Sequence, residues 1–272
     1  MILKESDDFL KVKETFSLDD KVVNVSIPSV VPKLKSEIIE YLYSNYSSNE
    51  IYHKIQDYEQ KDHYEKKVNT IGIWMSGGAD SSLLAYVLAK KIKDEKLRIK
   101  LQPLSVRRGR PNNPIYAGNV IDFIEEDLNF KMNDHIIYYP PMDDEHYREI
   151  EVFKEKDDIN FKDDLFQVLY SGITCNPPSD DKNISKNKER SRDEDTKRPL
   201  KTFNGIRYYM NPFFCINKRE LRMIYDQLKL TDKLFPLTYS CEGTAEDTKT
   251  HTQHCEKCWW CQERFWAFGK YI

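Results

Sequence analysis

The sequence predicts an α/β protein with a parallel sheet that carries helices on both faces. Short apolar runs, fit for buried parallel strands, alternate with segments of helical spacing from residue 69 onward. Strand, helix, strand, helix and strand follow one another at the spacing of βαβ units. A turn rich in glycine and serine, MSGGADSS, follows the first strand, where sheets of this kind bind ligands.

The elements of this sheet are predicted in order. The run TIGIWM (70–75) predicts a buried strand, and SSLLAYVLAKKIKDE (81–95) predicts a helix that ends in lysines, as its dipole favours. The second strand, the second helix and the third strand are predicted over 97–106, 115–130 and 135–140. The apolar face of the first helix is formed by Leu83, Leu84, Val87 and Leu88.

Residues 1–68 are predicted to form an N-terminal extension of unknown role. Residues 22–31 alternate like a strand, 31–46 have apolar residues at helical spacing, and 49–67 predict a solvated helix. No pattern here indicates chemistry, so packing or contact with a partner is the expected role. The helical spacing over 31–46 depends on Leu34, Ile38, Tyr41 and Leu42.

The main α/β domain is predicted to span residues 69–240, and the tail 241–272 is predicted to bind a metal. Within the domain, residues 177–200 are polar and of mixed charge, which predicts a mobile surface loop. Order is expected to resume at 206–214, followed by a helix over 217–228. The apolar face of that helix is formed by Leu221, Ile224, Tyr225 and Leu228.

Composition and charge argue against several classes of protein. The chain is 39% hydrophobic and 32% charged, and its net charge of −3 argues against a dedicated nucleic-acid binder. No stretch approaches the roughly 18 apolar residues of a membrane span, and the first residues, MILKESDDFLKVKE, do not resemble a signal peptide. We therefore expect a cytoplasmic protein without membrane or nucleic-acid partners, with a homodimer as one option.

The turn MSGGADSS (75–82) is the first candidate site. Its glycines let the backbone bend sharply and approach a ligand, and the N–H groups at the start of the next helix suit an anion. The stretch is neither a Walker loop nor a dinucleotide-binding fingerprint. Asp80 could bind magnesium or cap the helix. Further donors are the hydroxyls of Ser76, Ser81 and Ser82.

Four of the six cysteines crowd residues 241–272, which predicts a site rather than a disulfide scaffold. Cys255, Cys258 and Cys261 form a C-x-x-C-x-x-C run, and Cys241 can supply a fourth thiolate. Four thiolates fill a tetrahedral shell, as in structural zinc sites. An iron–sulfur cluster uses similar spacing, and unliganded thiols are the third alternative.

The residues around these cysteines carry further expectations. His251 and His254 could replace a metal ligand but are expected to be exposed loop residues. Arg264 is expected to pair with a carboxylate or to reach the nucleotide site. One helical face is formed by Cys261, Arg264, Phe265 and Phe268. Its phenylalanines are expected to pack into the core. Core and cover positions are also expected for Trp259, Trp260 and Trp266.

The stretch S-G-G-x-D-S, from Ser76 to Ser81, resembles the pyrophosphate loop of the ATP pyrophosphatase (PP-loop) superfamily. That resemblance implies cleavage of ATP between the α- and β-phosphates, with the loop holding the departing pyrophosphate. It implies ATP and Mg²⁺ as cofactors, and catalytic roles for Asp80 and Ser81. With the neighbouring hydroxyl of Ser82 included, the expected nucleotide-binding residues are Ser76, Gly77, Gly78, Asp80, Ser81 and Ser82.

Three later motifs resemble the 7-cyano-7-deazaguanine synthase family of this superfamily. Asn211–Leu221 resembles that family's N-P-x-x-x-x-x-K-x-E-L run, Thr238–Cys241 resembles T-x-S-C, and Cys255–Arg264 resembles C-x-x-C-x-x-C-x-x-R. The match covers residues 70–92 and about 206–268. The shared order and spacing of these parts argue against chance.

This resemblance implies a ligase that makes a nitrile from 7-carboxy-7-deazaguanine, ammonia and ATP. In that family the carboxylate attacks the α-phosphate, ammonia displaces AMP to give an amide, and a second adenylation dehydrates the amide. The resemblance also implies a zinc ion held by four thiolates. Its ligands would be Cys241, Cys255, Cys258 and Cys261.

The chain departs from the family where the substrate pocket should be shaped. The family's loop lies near its N-terminus, whereas a long extension precedes it here. SGITCNPP (171–178) stands where a P-x-R-N-like segment is expected, and RRGRPNNP (107–114) matches nothing expected after the second strand. The sequence therefore constrains the ATP chemistry more than the identity of the acid.

Three other functions stay open. Thiolation of tRNA by a relative with the same loop needs a thiol that carries a persulfide. Cys175 is the candidate, since Cys215 is expected to be packed in an apolar strand. Glutamine-dependent amidation needs a nucleophile, often an N-terminal cysteine, and no cysteine precedes Cys175. We therefore expect ammonia to be free or delivered in trans. The third alternative is a homologue that acts on a protein.

Overall fold

A computed structural model describes residues 10–34, 44, 63–107, 113–139, 156, 160, 163–184, 200–203 and 207–272. The strands in this part are β1 (Leu10–Ser17), β2 (Val22–Pro28), β3 (Val30–Leu34), β4 (His63–Lys67), β5 (Thr70–Trp74), β6 (Lys100–Val106), β7 (Ile136–Tyr138), β8 (Val168–Tyr170), β9 (Leu200–Phe203) and β10 (Arg207–Met210). The helices are α1 (Ala79–Asp94), α2 (Asn113–Leu128), α3 (Lys218–Gln227) and α4 (Trp259–Phe268), with a 3₁₀ turn over Phe235–Leu237.

The centre of the fold is a six-stranded sheet with the order β7-β6-β5-β8-β10-β9. The first five of these strands run parallel, and β9 pairs antiparallel with β10 at one edge. The chain steps from β5 through β6 to β7 in one direction and then returns to the other side of β5 with β8. The strand order therefore reverses at β5, and the carboxyl ends of β5 and β8 form the switch point where such sheets bind ligands.

The α/β class, with its parallel sheet, its helices and its C-terminal group of four cysteines, is confirmed. β5, β6, β7, α1 and α2 fall on the predicted segments within a few residues. Ile71 and Ile73 of β5 are fully buried, as a central parallel strand requires. Between them, Gly72 leaves room for the ring of Phe166, whose Cδ1 lies 2.7 Å from where a Cβ would stand.

The first helix ends in lysines and two helices pack through their apolar faces as predicted, and the structure adds the cap of α3. α1 carries Lys91 and Lys93 in its last turn, where the helix dipole favours cations. α3 begins with a capping box, in which the Asn217 side chain accepts backbone N–H groups and the Glu220 side chain accepts the N–H of Asn217. None of the helices in the described residues is long and apolar enough to cross a membrane. The buried positions on α1 and α3 include Leu83, Leu84, Val87, Leu88, Leu221, Ile224 and Tyr225.

The predicted helix over 31–46 is wrong at its start, and the predicted helix over 49–67 is wrong at its end. β3 pairs antiparallel with β4, so both stretches contribute to a two-stranded ribbon. Local periodicity does not register this pairing, because the two strands lie far apart in the chain. Within β3, Pro32 lacks an N–H, which an edge strand tolerates. The other positions of the predicted helical face, Ile38, Tyr41 and Leu42, lie outside the described residues.

The hairpin of β1 and β2 packs against α1. Its buried side chains belong to the same hydrophobic cluster as the leucines of α1. Lys91 of α1 also forms an ion pair with Glu14 of β1 (3.1 Å). The described part of the N-terminal extension therefore contributes to the core beside the main sheet, while the boundary at residue 68 stays a prediction. The hairpin residues in that cluster are Phe16, Val23, Val25 and Ile27.

The loop predicted over 177–200 is anchored at its start. Asp181 Oδ2 accepts hydrogen bonds from Arg219 Nη1 (3.0 Å) and Trp266 Nε1 (2.8 Å). Ile184 packs against the hydrophobic core. Residues 185–199 lie outside the described residues, and Leu200 already belongs to β9. Side chains from two distant helices thus hold Asp181 near the start of this segment, while the mobility of the loop stays a prediction.

Candidate functional site

The glycine–serine turn joins β5 to α1 at the switch point of the sheet. The N–H of Met75 donates to the carbonyl of Leu104 on β6 (2.7 Å), so the turn starts in register with the sheet. Gly77 has a φ of +73°, in the left-handed region that favours glycine. Gly78 is the N-cap residue of α1, so the first N–H groups of that helix point back into the turn.

Two hydroxyls face each other across this turn. The Oγ atoms of Ser76 and Ser81 lie 3.2 Å apart, and the N–H of Ser76 also donates to Ser81 Oγ (3.3 Å). The hydroxyls of Ser81 (3.3 Å) and Ser82 (2.7 Å) both donate to the carbonyl of Gly78, and the Ser82 side chain is fully buried. Ser76 and Ser81 therefore line the turn, and Ser81 and Ser82 both stabilise the first turn of α1.

Asp80 is paired with a lysine from a distant helix. Its Oδ2 accepts hydrogen bonds from Lys218 Nζ (3.1 Å) and from Thr174 Oγ1 (3.2 Å). The expectation that Asp80 caps the helix is wrong, because Gly78 is the N-cap residue and no side chain caps this end of α1. Within the described residues, the buried Oδ1 atom of Asp80 has no hydrogen-bond partner. One carboxylate oxygen at the turn is therefore left for a ligand or a cation.

Lys218 also contacts a second carboxylate, so three charges form one buried group. Its Nζ lies 3.3 Å from Glu263 Oε2 on α4, and the side chains of Lys218 and Glu263 are 6% and 0% exposed. Sequence reasoning assigned no role to either residue. One signal was present, since Lys218 is the first residue of α3, where the helix dipole disfavours a cation. A lysine at such a position needs an acidic partner.

The segment SGITCNPP, which departs from the family pattern, forms a wall of the site. Gly172 lies against the turn so closely that a Cβ would stand 2.8 Å from the carbonyl oxygen of Asp80. The N–H of Ile173 donates to Asn211 Oδ1 (3.1 Å), and the N–H of Cys175 donates to the carbonyl of Ile216 (2.8 Å). These bonds fix the segment between the turn and the chain that leads into α3.

The cysteine-bearing tail reaches the same turn from another side. The N–H of Tyr239 donates to the carbonyl of Gly77 (2.8 Å). The ring of Tyr239 stacks on Tyr116 with centroids 4.6 Å apart, and its hydroxyl donates to the carbonyl of Gln253 (3.0 Å). The turn is therefore enclosed by the loop after β8, by the start of α3 and by the tail.

The four cysteines of the tail come together as predicted. The Sγ atoms of Cys241, Cys255, Cys258 and Cys261 all lie within 4.8 Å of one another. The separations are 3.9 Å between Cys255 and Cys261 and 4.0 Å between Cys241 and Cys258. Thiolates that share one tetrahedral ion at about 2.3 Å lie roughly 3.8 Å apart. The group could therefore hold a single metal ion.

Backbone N–H groups surround these sulfur atoms. Cys241 Sγ accepts from the N–H groups of Gly243 and Cys255, both at 3.2 Å. Cys255 Sγ accepts from the N–H of Cys258 (3.3 Å), and Cys258 Sγ accepts from the N–H of Glu242 (3.5 Å). Such bonds orient metal ligands and stabilise the thiolate form that binds a metal.

The two histidines of the tail are not exposed, and the expectation that they are is wrong. His251 is buried, with its Nδ1 atom 3.2 Å from Thr248 Oγ1. His254 stacks between Tyr239 and Tyr271. Burial, and then the charge of Arg264, lower the pKa of His254 to about 4. Neither ring belongs to the group of ligand atoms that the four cysteines form.

Arg264 bonds to backbone carbonyls and to the Thr238 hydroxyl rather than to a carboxylate, so the expectation of a carboxylate partner is wrong. Its guanidinium donates to the carbonyls of Phe235, Thr238 and Tyr271. The side chain is almost fully buried, and burial lowers its pKa to about 10. Arg264 thus fixes the chain just before Tyr239 and Cys241.

The other expectations for α4 hold in part. Phe268, Trp259 and Trp266 are buried, as predicted, but Phe265 is 50% exposed. The expectation that Phe265 packs into the core is wrong, because this position of α4 faces outward. Its ring contacts Tyr271 there (5.2 Å between centroids). Helical spacing places residues on one face but does not set the width of the buried stripe.

The two remaining cysteines, Cys175 and Cys215, lie outside the four-cysteine group. Cys215 lies in a turn and not in a strand, which corrects the prediction, although it does pack against the hydrophobic core. Burial raises its pKa, which keeps the thiol protonated. Cys175 is half-buried and follows Thr174, whose hydroxyl contacts Asp80. From RRGRPNNP, residues 108–112 lie outside the described part of the chain.

No protein-family model and no curated protein matches the chain. Among solved structures, the U34-tRNA thiolase NcsA from Methanococcus maripaludis with its [4Fe–4S] cluster is similar at 14% identity and a TM-score of 0.40, over 67% of this chain and 63% of that one. The NAD+ synthetase from Burkholderia pseudomallei is similar at 10% identity and a TM-score of 0.33, over 82% and 79%. The chain thus spans less than two thirds of the thiolase, and both likenesses are too weak to indicate an activity.

Proposed function

We propose that the protein is an ATP-dependent ligase of the PP-loop superfamily, which cleaves ATP between the α- and β-phosphates to adenylate a carboxylate. The observation that carries this proposal is the SGGADS turn at the switch point of a parallel sheet, with Asp80 paired to Lys218 beside it. A turn with this sequence resembles a pyrophosphate loop, and its position is where α/β sheets bind ligands.

The turn has the groups that a pyrophosphate needs. N–H groups at the start of α1 and the hydroxyls of Ser76 and Ser81 would donate to phosphate oxygens. Lys218 adds a positive charge beside Asp80. The free Oδ1 of Asp80 is a hard oxygen of the kind that Mg²⁺ prefers. When bound, Mg²⁺ would neutralise charge on the phosphates of ATP.

In the proposed reaction, a carboxylate oxygen attacks the α-phosphorus, and the bond from that phosphorus to the bridging oxygen of the β-phosphate breaks. The chain's contribution is to hold the triphosphate in line and to stabilise the charge that develops on the departing pyrophosphate. Ser76 and Ser81 would hold that pyrophosphate, and Asp80 would hold the cation. Ammonia then displaces AMP from the acyl-adenylate to give an amide.

The substrate that the sequence favours is 7-carboxy-7-deazaguanine, with ammonia as the nitrogen donor and the nitrile as the product. The support is that motifs resembling that synthase family meet at one place. Lys218 lies beside Asp80, Tyr239 binds Gly77, and Arg264 fixes the chain before Tyr239. The second adenylation would activate the amide oxygen in the same position, and loss of AMP and a proton would leave the nitrile.

We further propose that the four thiolates hold zinc. Their mutual distances fit one tetrahedral ion, whereas a four-iron cluster places a separate iron atom under each thiolate and spaces the sulfurs more widely. With four protein ligands the shell has no open position, so the role of the ion would be structural.

Product analysis by mass spectrometry tests the function. The protein is incubated with ATP, Mg²⁺ and ammonium, with and without 7-carboxy-7-deazaguanine. The expected result is the nitrile, together with AMP and pyrophosphate. An amide as the final product would mean that only the first adenylation takes place. An unchanged deazaguanine, with AMP formed when another acid or a protein is supplied, would show that the substrate assignment is wrong.

A further inference from the structure

Ser240 is held beside the glycine–serine turn by its two neighbours. On one side, the N–H of Tyr239 donates to the carbonyl of Gly77 (2.8 Å), and the Tyr239 ring is stacked on Tyr116. On the other side, Cys241 belongs to the four-thiolate group and accepts the N–H of Gly243 (3.2 Å). A residue between two such anchors has little freedom, so the fold holds the backbone of Ser240 beside the turn.

The backbone conformation of Gly78 does not explain why a glycine occupies this position. Its φ of −83° and ψ of 165° are open to any residue. A Cβ at this position would stand 3.2 Å from Ser76 Oγ and 3.5 Å from Ser240 Oγ. Two hydroxyl oxygens thus lie within 3.5 Å of one point at the turn, and glycine keeps that point free of side-chain atoms.

The two hydroxyls differ in what they bind within the protein. Ser76 Oγ is paired with Ser81 Oγ and accepts the N–H of Gly78. In the described part of the chain, the Ser240 side chain makes no hydrogen bond, and it is half-buried. Its O–H is therefore a donor without an acceptor, on a residue that is held beside the start of α1. A phosphate oxygen is the acceptor that suits such a donor.

We propose that Ser240 is a pyrophosphate-binding residue, which donates a hydrogen bond from the metal-binding tail to the phosphate held between it and Ser76. This inference rests on the proposed cleavage of ATP at the turn. It implies that the tail contributes directly to the phosphate site. The residue before a metal ligand then takes part in binding the leaving group, and Gly78 is required because the phosphate needs the space.

Calorimetric titration with inorganic pyrophosphate and Mg²⁺ tests this role. Ser240→Thr and Ser240→Val have nearly the same shape and differ in the hydroxyl. We expect the threonine variant to bind pyrophosphate within about threefold of the wild type, and the valine variant at least tenfold more weakly, the size of a lost hydrogen bond to a charged group. Affinity for AMP should be the same in both variants.

Three further variants complete the experiment, of which Ser76→Ala removes a hydroxyl that lines the turn and should weaken pyrophosphate binding. Gly78→Ala fills the space between the hydroxyls and should weaken pyrophosphate binding at least tenfold. The thermal midpoint should hardly change, since the serine side chains can rotate away from the methyl group. Ser179→Ala removes an exposed hydroxyl and should leave pyrophosphate affinity unchanged. All variants are compared at equal metal content, which excludes an indirect effect through the thiolates.

The outcomes separate this inference from the proposed function. Equal pyrophosphate affinity of the threonine and valine variants, with weaker binding by Ser76→Ala, would overturn the role of Ser240 and leave the proposed function intact. A wild-type protein that neither binds pyrophosphate nor forms AMP would overturn the proposed function and this inference with it.

Discussion

The carboxylate of Asp80 pairs with the ammonium group of Lys218, which lies 138 residues further along the chain. Lys218 in turn contacts Glu263, so one buried cation lies between two carboxylates. Removal of one partner from such a group leaves an uncompensated buried charge, which costs about 3–5 kcal/mol. The three residues should therefore act as a unit in stability measurements.

Lys218→Met should lower the free energy of unfolding by about 3 kcal/mol, because two acids lose their counter-charge while the volume hardly changes. Adding Glu263→Gln removes one of the two carboxylate charges that Lys218 no longer balances, so the double variant should be more stable than the single one. Urea unfolding of both variants measures this difference, with the exposed Lys131→Met as the control. Equal stability of the single and double variants would show that Glu263 does not depend on Lys218.

Gly77→Ala should destabilise the protein by about 1–2 kcal/mol, because a Cβ is strained at a φ of +73°. The matched control is Gly118→Ala within α2, where a Cβ meets no atom within 4 Å. That substitution should be neutral or stabilise by up to about 1 kcal/mol. Thermal unfolding of both variants gives the comparison. An equal effect at the two positions would mean that the turn lacks the left-handed residue described here.

His135 makes the stability depend on pH. Its Nε2 lies 2.7 Å from Ser105 Oγ, whose hydroxyl already donates to the carbonyl of Met75. Burial lowers the pKa of His135 below its usual 6.5, so the unfolded chain takes up a proton before the folded one does. The contribution of a neutral His135 to stability is therefore present above pH 6.5 and is lost as the pH falls below it.

We expect wild-type protein to lose more unfolding free energy between pH 7.5 and 5.5 than His135→Gln, which keeps an N–H donor but does not titrate. Urea unfolding at the two pH values measures the difference. The same loss in both proteins would argue against the buried neutral histidine.

Among the elements, α4 connects the four-cysteine group to the candidate phosphate site. Cys258 precedes the helix and Cys261 lies in its first turn, while Glu263 faces Lys218 and Arg264 fixes the chain before Tyr239. A metal that holds the start of α4 would therefore also hold the groups that touch the turn. Metal sites of this closed type contribute free energy to folding itself.

Cys258→Ser should lose the metal and unfold at a clearly lower temperature, since three thiolates do not close a tetrahedral shell. Cys215→Ser, which lies outside the four-thiolate group, should keep the full metal content. Elemental analysis should find one zinc ion per chain in the wild type. A brown, iron-rich protein, or a Cys258→Ser variant that keeps zinc, would contradict the assignment.

Local patterns predicted some elements and not others, for physical reasons. The spacing of apolar residues in TIGIW and in α1 indicates by itself that these segments are buried, so β5 and α1 could be predicted. The pairing of β3 with β4 is a contact between distant segments, and a local pattern does not contain it. The partners of Asp80, Thr174 and Lys218, were missed for the same reason, as was Glu263, the second partner of Lys218, since all three come from other segments.

In the whole molecule, the reversal of strand order at β5 brings the candidate site together. The turn follows β5, SGITCNPP follows β8, and α3 follows β10 on the same side of the reversal. The tail closes the site with Tyr239 and Ser240. The motifs that resemble the synthase family are therefore spread over the sequence but adjacent in space, which is what an active site built on a parallel sheet requires.

The nucleotide products formed from ATP test the central claim most directly. The protein is incubated with ATP, Mg²⁺, ammonium and 7-carboxy-7-deazaguanine, and the nucleotides are separated by chromatography. Asp80→Asn, which keeps the size of the side chain, should form at least a hundredfold less product while it retains its metal and its fold. AMP and pyrophosphate in equal amounts are the predicted result for the wild type. ADP and phosphate as the main products would contradict the account.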